Sequence, residues 1–214
     1  MKLEEIIDIN KTVANSLFKD INYIWEVLPK IKDNIIDIGN SLDKDKYTMI
    51  EDNIWIGKNV QIDKLSTIIA PCIIGENTEI IPGAYLRGNV VIGDNCIIGN
   101  SVEIKNSIIF DNCQISHFNY VGDSILGYSS HLGAGVILSN FKNDESNITI
   151  NNIDTNMLKL GSIIGDYTSV GCNSVLYPGT IVGSNTNIYP LTKVRGIIPS
   201  NSIMKNEDNI IEKE

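Results

Sequence analysis

From Ile56 to Val194 an aliphatic residue returns at almost every sixth position, and a smaller residue follows four places later. The first run is Ile56, Ile62, Ile68, Ile74, Ile80, Leu86, Ile92, Ile98 and Ile104, and the rhythm resumes at Ile164, Val170, Leu176, Val182, Ile188 and Val194. The smaller positions hold Val60, Ser66, Cys72, Thr78, Ala84, Val90, Cys96 and Val102, then Thr168, Ser174, Thr180 and Thr186. Gly often follows the aliphatic residue, as at Gly57, Gly75, Gly93, Gly99, Gly165, Gly171 and Gly183. A period of six predicts a parallel β-helix in which three short sides make a coil of about eighteen residues. One such strand cannot bury its own apolar side, but coils stacked at roughly 4.8 Å bury a continuous aliphatic column. The second inward position sits near a corner and must be small. Gly, Asn and Asp crowd the corners because tight turns need backbone conformations those residues tolerate.

Residues 1–50 lack this rhythm. Leu3, Ile6, Ile7, Ile9, Val13 and Leu17 fit an amphipathic helix, with Glu4, Glu5 and Lys11 on its polar side. A second helix is expected from about Leu28 to Leu42, with Pro29 in its first turn and Ile31, Ile35, Ile36 and Ile38 as its apolar stripe. Residues 43–46 read as a polar linker, and the helices are expected to cap the first coil or pack along it. The hexads slip by one residue between Ile104 and Ile109 and again between Val121 and Leu126, each slip marking a distorted corner. They stop after Leu138, so 139–163 is an inserted loop, and long loops in compact folds are usually functional. The expected division is a helical cap over 1–50, a β-helix over 51–205 carrying that loop, and a polar tail over 206–214.

Composition removes several function classes. The formal net charge of −9 and the lack of a basic patch argue against a nucleic-acid surface. No signal-peptide core or membrane-length apolar segment occurs, which predicts a cytoplasmic protein without a membrane partner. Cys72, Cys96 and Cys113 fall on small inward positions and read as buried thiols, whereas Cys172 falls outside them. With no Cys-x-x-Cys pair and only His117 and His131 as histidines, no metal site is expected within one chain.

Arg87 and Lys105 each follow the aliphatic residue of a hexad and lie one coil apart, so they emerge on the same outer side. Two cations about 5 Å apart repel unless an anion lies between them, and a phosphate suits an arginine fork beside a lysine. The same pattern also fits two solvated surface cations. His117, in the irregular stretch between the slips, carries a side chain suited to proton transfer near neutrality. Tyr120, Gly122-Asp123, Gly133-Ala134-Gly135 and Ser139-Asn140-Phe141 follow it. The glycine turn allows close backbone approach to a ligand and is a candidate source of an oxyanion donor.

Residues 99–140 combine Gly-Asn-Ser-Val-Glu-Ile-Lys, then His-Phe-Asn-Tyr-Val-Gly-Asp, then Leu-Gly-Ala-Gly and Ser-Asn. In this they resemble the acetyltransferase half of bifunctional enzymes that acetylate glucosamine-1-phosphate and then make UDP-N-acetylglucosamine. The resemblance extends more weakly over 56–204, including Lys159-Leu160-Gly161. It implies a left-handed β-helix, a homotrimer with active sites between columns, and acetyl-CoA as co-substrate lying near the later coils, Ile164–Val194. It implies His117 as the general base, Arg87, Lys105 and Tyr120 as contacts for a sugar phosphate, and Asn140 as an active-site amide. The family's loop lysine is replaced here in the region of Ser146-Asn147, with Lys142 or Lys159 as substitutes, and His131 stands where many members have asparagine, which implies it as a substrate-binding residue with altered acceptor contacts. Only some fifty residues precede the repeats, without a glycine-rich nucleotide motif, so uridylyl transfer is not expected of this chain. The implied activity is N-acetylation of an amino-sugar 1-phosphate. The alternatives are another amino sugar or nucleotide sugar as acceptor, and a non-catalytic trimeric scaffold or partner of a separate nucleotidyltransferase. No residue is assigned to CoA.

Overall fold

A computed structural model describes residues 5–213. The hexads form a three-sided parallel β-helix whose faces are sheets of nine, seven and nine strands. The first face starts at Ile54–Gly57 and climbs through Cys72–Ile74, Val90–Ile92 and Ser107–Ile109 to Ile197–Ile198. The second runs from Gln61–Ile62 through Gln114–His117 and His131–Leu132 to Ser202–Asn206. The third runs from Thr67–Ile69 through Tyr85–Arg87, Glu103–Lys105 and Tyr120–Gly122 to Lys193–Val194.

The aliphatic series from Ile74 to Ile104 and from Ile164 to Val194 is buried, as are most of the small inward residues. Buried hydroxyls at those positions find carbonyls: Thr78 Oγ1 donates to Gly93 at 2.8 Å and Thr168 Oγ1 to Gly183 at 2.9 Å. Cys72, Cys96 and Cys113 are buried and Cys172 is exposed. Burial pushes the Cys72 thiol up to about 12, because a thiolate there would have no solvation. Corner asparagines Asn59, Asn77, Asn95 and Asn112 repeat a left-handed backbone on successive coils.

Both slips fall on the corner between the third and first faces. Ile92 aligns with Ile109, and Ile109 with Leu126, one residue fewer than the coil linking Ile74 to Ile92. Where the earlier corner has Gly88 and Asn89, the shortened ones turn through Asn106 (φ 45°) and Asp123 (φ 48°).

The amino-terminal segment differs from the expectation. Leu3 and Glu4 lie outside the described residues, and the rest of the expected first helix includes two 3₁₀ turns, Ile9–Lys11 and Asn15–Phe18, joined by an extended Thr12 and a turn through Val13 and Ala14. The reason is hydrogen bonding to the column: Asp166 N–H donates to Ile6 O at 2.9 Å and Asp111 N–H to Lys11 O at 3.1 Å. An α-helix would consume those carbonyls internally. The second helix, α1, spans Val27–Ser41 and buries Val27, Leu28, Ile31, Ile35 and Ile38, while Ile36 is exposed.

This segment is a strap along the first face. It begins beside Ser184, whose Oγ donates to Glu5 O, passes Asp166 and Asp111, and ends as Tyr47–Glu51 paired antiparallel with Ile54–Gly57. The face beneath is therefore apolar on both sides. Its outward residues Ile73, Val91, Ile108, Ile125 and Ile163 are buried, and Phe18 meets Phe110 edge-on at 5.8 Å. The first coil keeps an open end, with Ile56, Val60, Ile62 and Ile68 half-buried. At the other end, residues expected as a polar tail include the strand Asn209–Glu212, antiparallel to Ser202–Asn206. Lys213 Nζ ties it down on Asn185 and Asn187.

The loop after Leu138 packs part of its length on the column. It carries the hairpin Thr149–Ile150/Ile153–Asp154 and a bridge between Phe141 and Lys159, and it buries Ile148, Ile150 and Leu160.

Candidate active site

Leu86 aligns with Ile104 on the third face, so Arg87 and Lys105 occupy equivalent positions on successive coils, as the period requires. Their repulsion is relieved by carboxylates of the chain itself. Arg87 Nη1 lies 2.5 Å from Glu103 Oε1, and Lys105 Nζ lies 3.5 Å from Asp123 Oδ2. The Glu103 hydrogen bond and charge push the Arg87 pKa up, securing its cationic form.

Asp123 holds this corner together. It is 5 % exposed and accepts from Asn106 Nδ2 at 2.8 Å and from Asn140 Nδ2 at 2.5 Å, besides pairing with Lys105. Its backbone O accepts from Gly161 N at 2.8 Å, so one residue fixes both the start and the exit of the inserted loop. Tyr120 lies alongside. Burial raises its pKa, opposed by a hydrogen bond with Asn140, and Asp123, Glu103 and Arg87 are near enough to contribute. Gly122 is glycine for space, since a Cβ there would come within 2.8 Å of Asn140 Nδ2. Arg87, Lys105, Tyr120 and Asn140 thus form one cluster.

His117 stands elsewhere, at the end of Gln114–His117, where the second face turns into the third. The backbone is pinned there: His117 N–H donates to Asn119 Oδ1 at 3.1 Å, and His117 O accepts from Gly135 N at 2.9 Å. Phe118 follows with φ 54° and a ring 60 % exposed. Among the described residues the imidazole has no hydrogen-bond partner, which leaves both ring nitrogens open to a ligand. His117 precedes the third-face strand Tyr120–Gly122, whereas Arg87 and Lys105 align with its far end, so the width of one strand separates the imidazole from the two cations.

His131 lies on the second face, aligned with Gln114 of the coil before, with Nδ1 3.3 Å from Ser169 Oγ. Burial lowers its pKa and favours the neutral ring. In the glycine turn, Gly133 N–H donates to Val170 O and Gly135 N–H to His117 O, at 2.8 and 2.9 Å. Neither is free to meet an oxyanion, which leaves Ala134 N–H as the turn's donor without a protein acceptor among the described residues. Of the lysines expected as substitutes, Lys142 is engaged by its own loop, through Ser146 Oγ and Asn147 O. Lys159 sits in the bridge with Phe141.

Glu103, Asn106 and Asp123 are the site residues that sequence reasoning passed over. Glu103 was accessible, because it stands two places before Lys105 on one strand and shares its outward side. Among the described residues no group of three or more His, Cys, Asp or Glu is placed to hold a metal, and no helix is long and apolar enough to cross a membrane.

A three-sided column of hexads with a polar cluster on one corner is a hexapeptide-repeat protein. Residues 68–211 match the model of the GMPPB C-terminal domain, and the chain belongs to that family. It is 38% identical over 144 residues to the "Bifunctional protein GlmU" of Acaryochloris marina, covering 67% of this chain and 28% of that protein. It is 33% identical over 229 residues to the protein of that name from Methanococcus vannielii, covering 99% of this chain and 53% of that one. The chain thus spans about half or less of these relatives. Among solved structures, the acetyltransferase domain of PglB from Neisseria gonorrhoeae aligns with a TM-score of 0.44 at 17% identity, over 72% of this chain and 57% of that one.

Proposed function

We propose that the chain is a cytoplasmic N-acetyltransferase that moves an acetyl group from acetyl-CoA to the amine of an amino-sugar 1-phosphate, acting as a homotrimer. The observation that carries this reading is the cluster of Arg87, Lys105, Tyr120 and Asn140 at one edge of the third face, with His117 at the other. The relatives named bifunctional protein GlmU support the acetyl-transfer chemistry.

In this mechanism the cluster takes the phosphate, and Arg87 exchanges Glu103 for phosphate oxygens when the acceptor binds. The sugar amine attacks the thioester carbonyl, forming the C–N bond. His117 takes the proton from nitrogen, worth about 10²–10⁴-fold in rate. Ala134 N–H, on the turn bonded to the His117 carbonyl, meets the developing oxyanion. The C–S bond then breaks, and the CoA thiolate leaves and is protonated. Because His117 and the cluster lie at opposite edges of one face, a neighbouring column completes the site. Exposed Tyr85, Phe118, Tyr189 and Leu191, on the third face or the corner leading into it, supply an apolar surface for that neighbour. The first face is already covered by the strap.

A second acceptor class is favoured by one observation. The two cations of the cluster are each matched by a carboxylate, and the nearby loop ammonium of Lys142 is engaged elsewhere. Such a balanced cluster attracts a dianion less than an unpaired one, which leaves room for an acceptor without a terminal phosphate. Thiol release from acetyl-CoA should be followed with glucosamine-1-phosphate, its epimers, the free amino sugars and amino-nucleotide sugars. Release with the 1-phosphates is expected. Release with nucleotide sugars alone would change the acceptor, and silence across the panel would replace the enzyme with a scaffold.

A further inference from the structure

The two ends of the column are finished differently. At the late end the strand Asn209–Glu212 pairs with Ser202–Asn206, and Lys213 ties it down. At the early end only one of the three faces is extended. Tyr47–Glu51 lies below Ile54–Gly57 on the first face, whereas Gln61–Ile62 and Thr67–Ile69 are the end strands of the other two among the described residues. The early end is therefore a step. A ridge about 4.8 Å high, one strand spacing, stands beside a notch. The aliphatic Ile56, Val60, Ile62 and Ile68 are only half-buried there, for want of a coil beneath them, and Ile50 on the ridge is 47 % exposed. Ridge and notch each turn the backbone N–H and C=O groups of a sheet edge outward.

Three observations select what covers this surface. Glu5 and Lys213, the first and last described residues, sit beside Ser184 and Asn185 at the late end, so the ends of the described chain do not reach it. The charged side chains around it, Glu51, Asp52, Lys58, Asp63 and Lys64, nearly cancel, although the chain as a whole has a formal net charge of −9. Like-charge repulsion, which keeps copies of an acidic chain apart, is weak at this surface. The step is also self-complementary. A two-fold axis across it lays the ridge of each copy in the notch of the other, which closes both sets of edges and covers the aliphatic residues.

Area sets the number of copies. One early end is narrow against the roughly 800 Å² per partner of a stable interface. Three columns side by side about a three-fold axis bring three such ends into one plane and multiply the contact. We propose that the early end is an interface between copies of this chain, through which two trimers pair reversibly, ridge into notch. The late coils and the inserted loop then face outward at both ends of the pair. The proposal rests on the trimer of the proposed function and adds a second, separate contact to it.

Sedimentation velocity of wild type, Ile50→Lys and Ile50→Val over a range of concentrations tests it. Ile50 is nearly half exposed, and unchanged Tm and turnover verify that the variants fold. Wild type and Ile50→Val are expected to pass from three copies to six as concentration rises. Ile50→Lys, which sets an ammonium against the aliphatic notch of the second copy, is expected to stay at three, half the wild-type mass at the highest concentration. Wild type that remains at three copies throughout overturns the proposal, as does an Ile50→Lys variant that still reaches six. Wild type that passes from one copy to two, with Ile50→Lys held at one, would keep the end-to-end contact and remove the trimer instead.

Discussion

His117 presents an imidazole on an exposed corner and contributes its backbone, not its ring, to the hydrogen bonds there. His117→Ala should therefore lower turnover by about 10²–10⁴-fold with little change in thermal unfolding. Undiminished turnover at saturating substrates would take His117 out of the chemistry. Arg87 is different, because its guanidinium already pairs with Glu103 through Nη1, a bond it gives up to phosphate in the proposed mechanism. Wild type should favour glucosamine-1-phosphate over glucosamine by one to two decades, about 1.5–3 kcal/mol, and Arg87→Ala should lose most of that preference. Equal catalytic efficiency on the two acceptors would contradict a phosphate site. The stacking of Arg87 on Lys105 was legible in the sequence because it follows from the coil period alone. Asp123 was visible in the Gly122-Asp123 pair, but its role was not, since its donors come from the previous coil and from the loop entrance. The glycine turn was legible as a close-approach point. Which of its three amides is free depends on acceptors in two neighbouring coils, Val170 and His117, which local sequence does not reveal.

At the scale of elements, the strands were easier to read than the strap. A strand's inward positions repeat because every coil faces the same core. The strap has no repeat, and its Ile6, Ile7, Leu17 and Phe18 are spaced to fit the column rather than a helix period. It crosses a corner where acidic side chains climb the coils. Asp94 Oδ1 accepts from Glu76 N at 2.7 Å, Asp111 Oδ1 accepts from Asp94 N at 2.9 Å, and Asp166 accepts from Asp8 and Tyr128. Burial pushes the Asp111 carboxyl up to about 6; the bond from Asp94 N–H opposes this, the Asp94 charge adds to it, and Lys11 lowers it slightly. A pKa raised on folding means the protonated form is favoured in the native state. Its contribution to stability is full below the unfolded value, about 3.9, and is lost as pH rises through about 6. Asp111→Asn keeps an acceptor for the Asp94 amide and removes the buried charge. It should raise Tm relative to wild type at pH 7–8, with the difference closing toward pH 4. A Tm gain that persists unchanged at pH 4 would show that the charge is not the cause.

For the whole molecule, the strap changes how the column is held. A bare solenoid is stabilised coil against coil, so it can fray from either end. Here residues 5–51 touch the column from Ser184 down to Ile54, and they cover a face whose outward side chains, Trp55, Ile73, Val91, Ile108, Ile125 and Ile163, are apolar. Phe18→Ala, which empties the contact with Phe110, should cost about 3–5 kcal/mol in urea unfolding while leaving one cooperative transition. The covering of that face also leaves the other two to meet a neighbour, and the separation of His117 from Arg87 makes a decisive test possible. If each site takes His117 from one column and Arg87 from the next, both single variants are strongly impaired alone. Co-assembled trimers of His117→Ala and Arg87→Ala protomers would then regain about a quarter of the sites, where two intact halves meet. A site contained in one chain would regain none, because every chain in the mixture lacks one of the two groups. Activity of the co-expressed mixture well above that of either variant, in a trimer confirmed by light scattering, is the expected outcome. Its absence in verified mixed trimers would return the whole site to a single column and require His117 and Arg87 to act on the substrate across the width of one face.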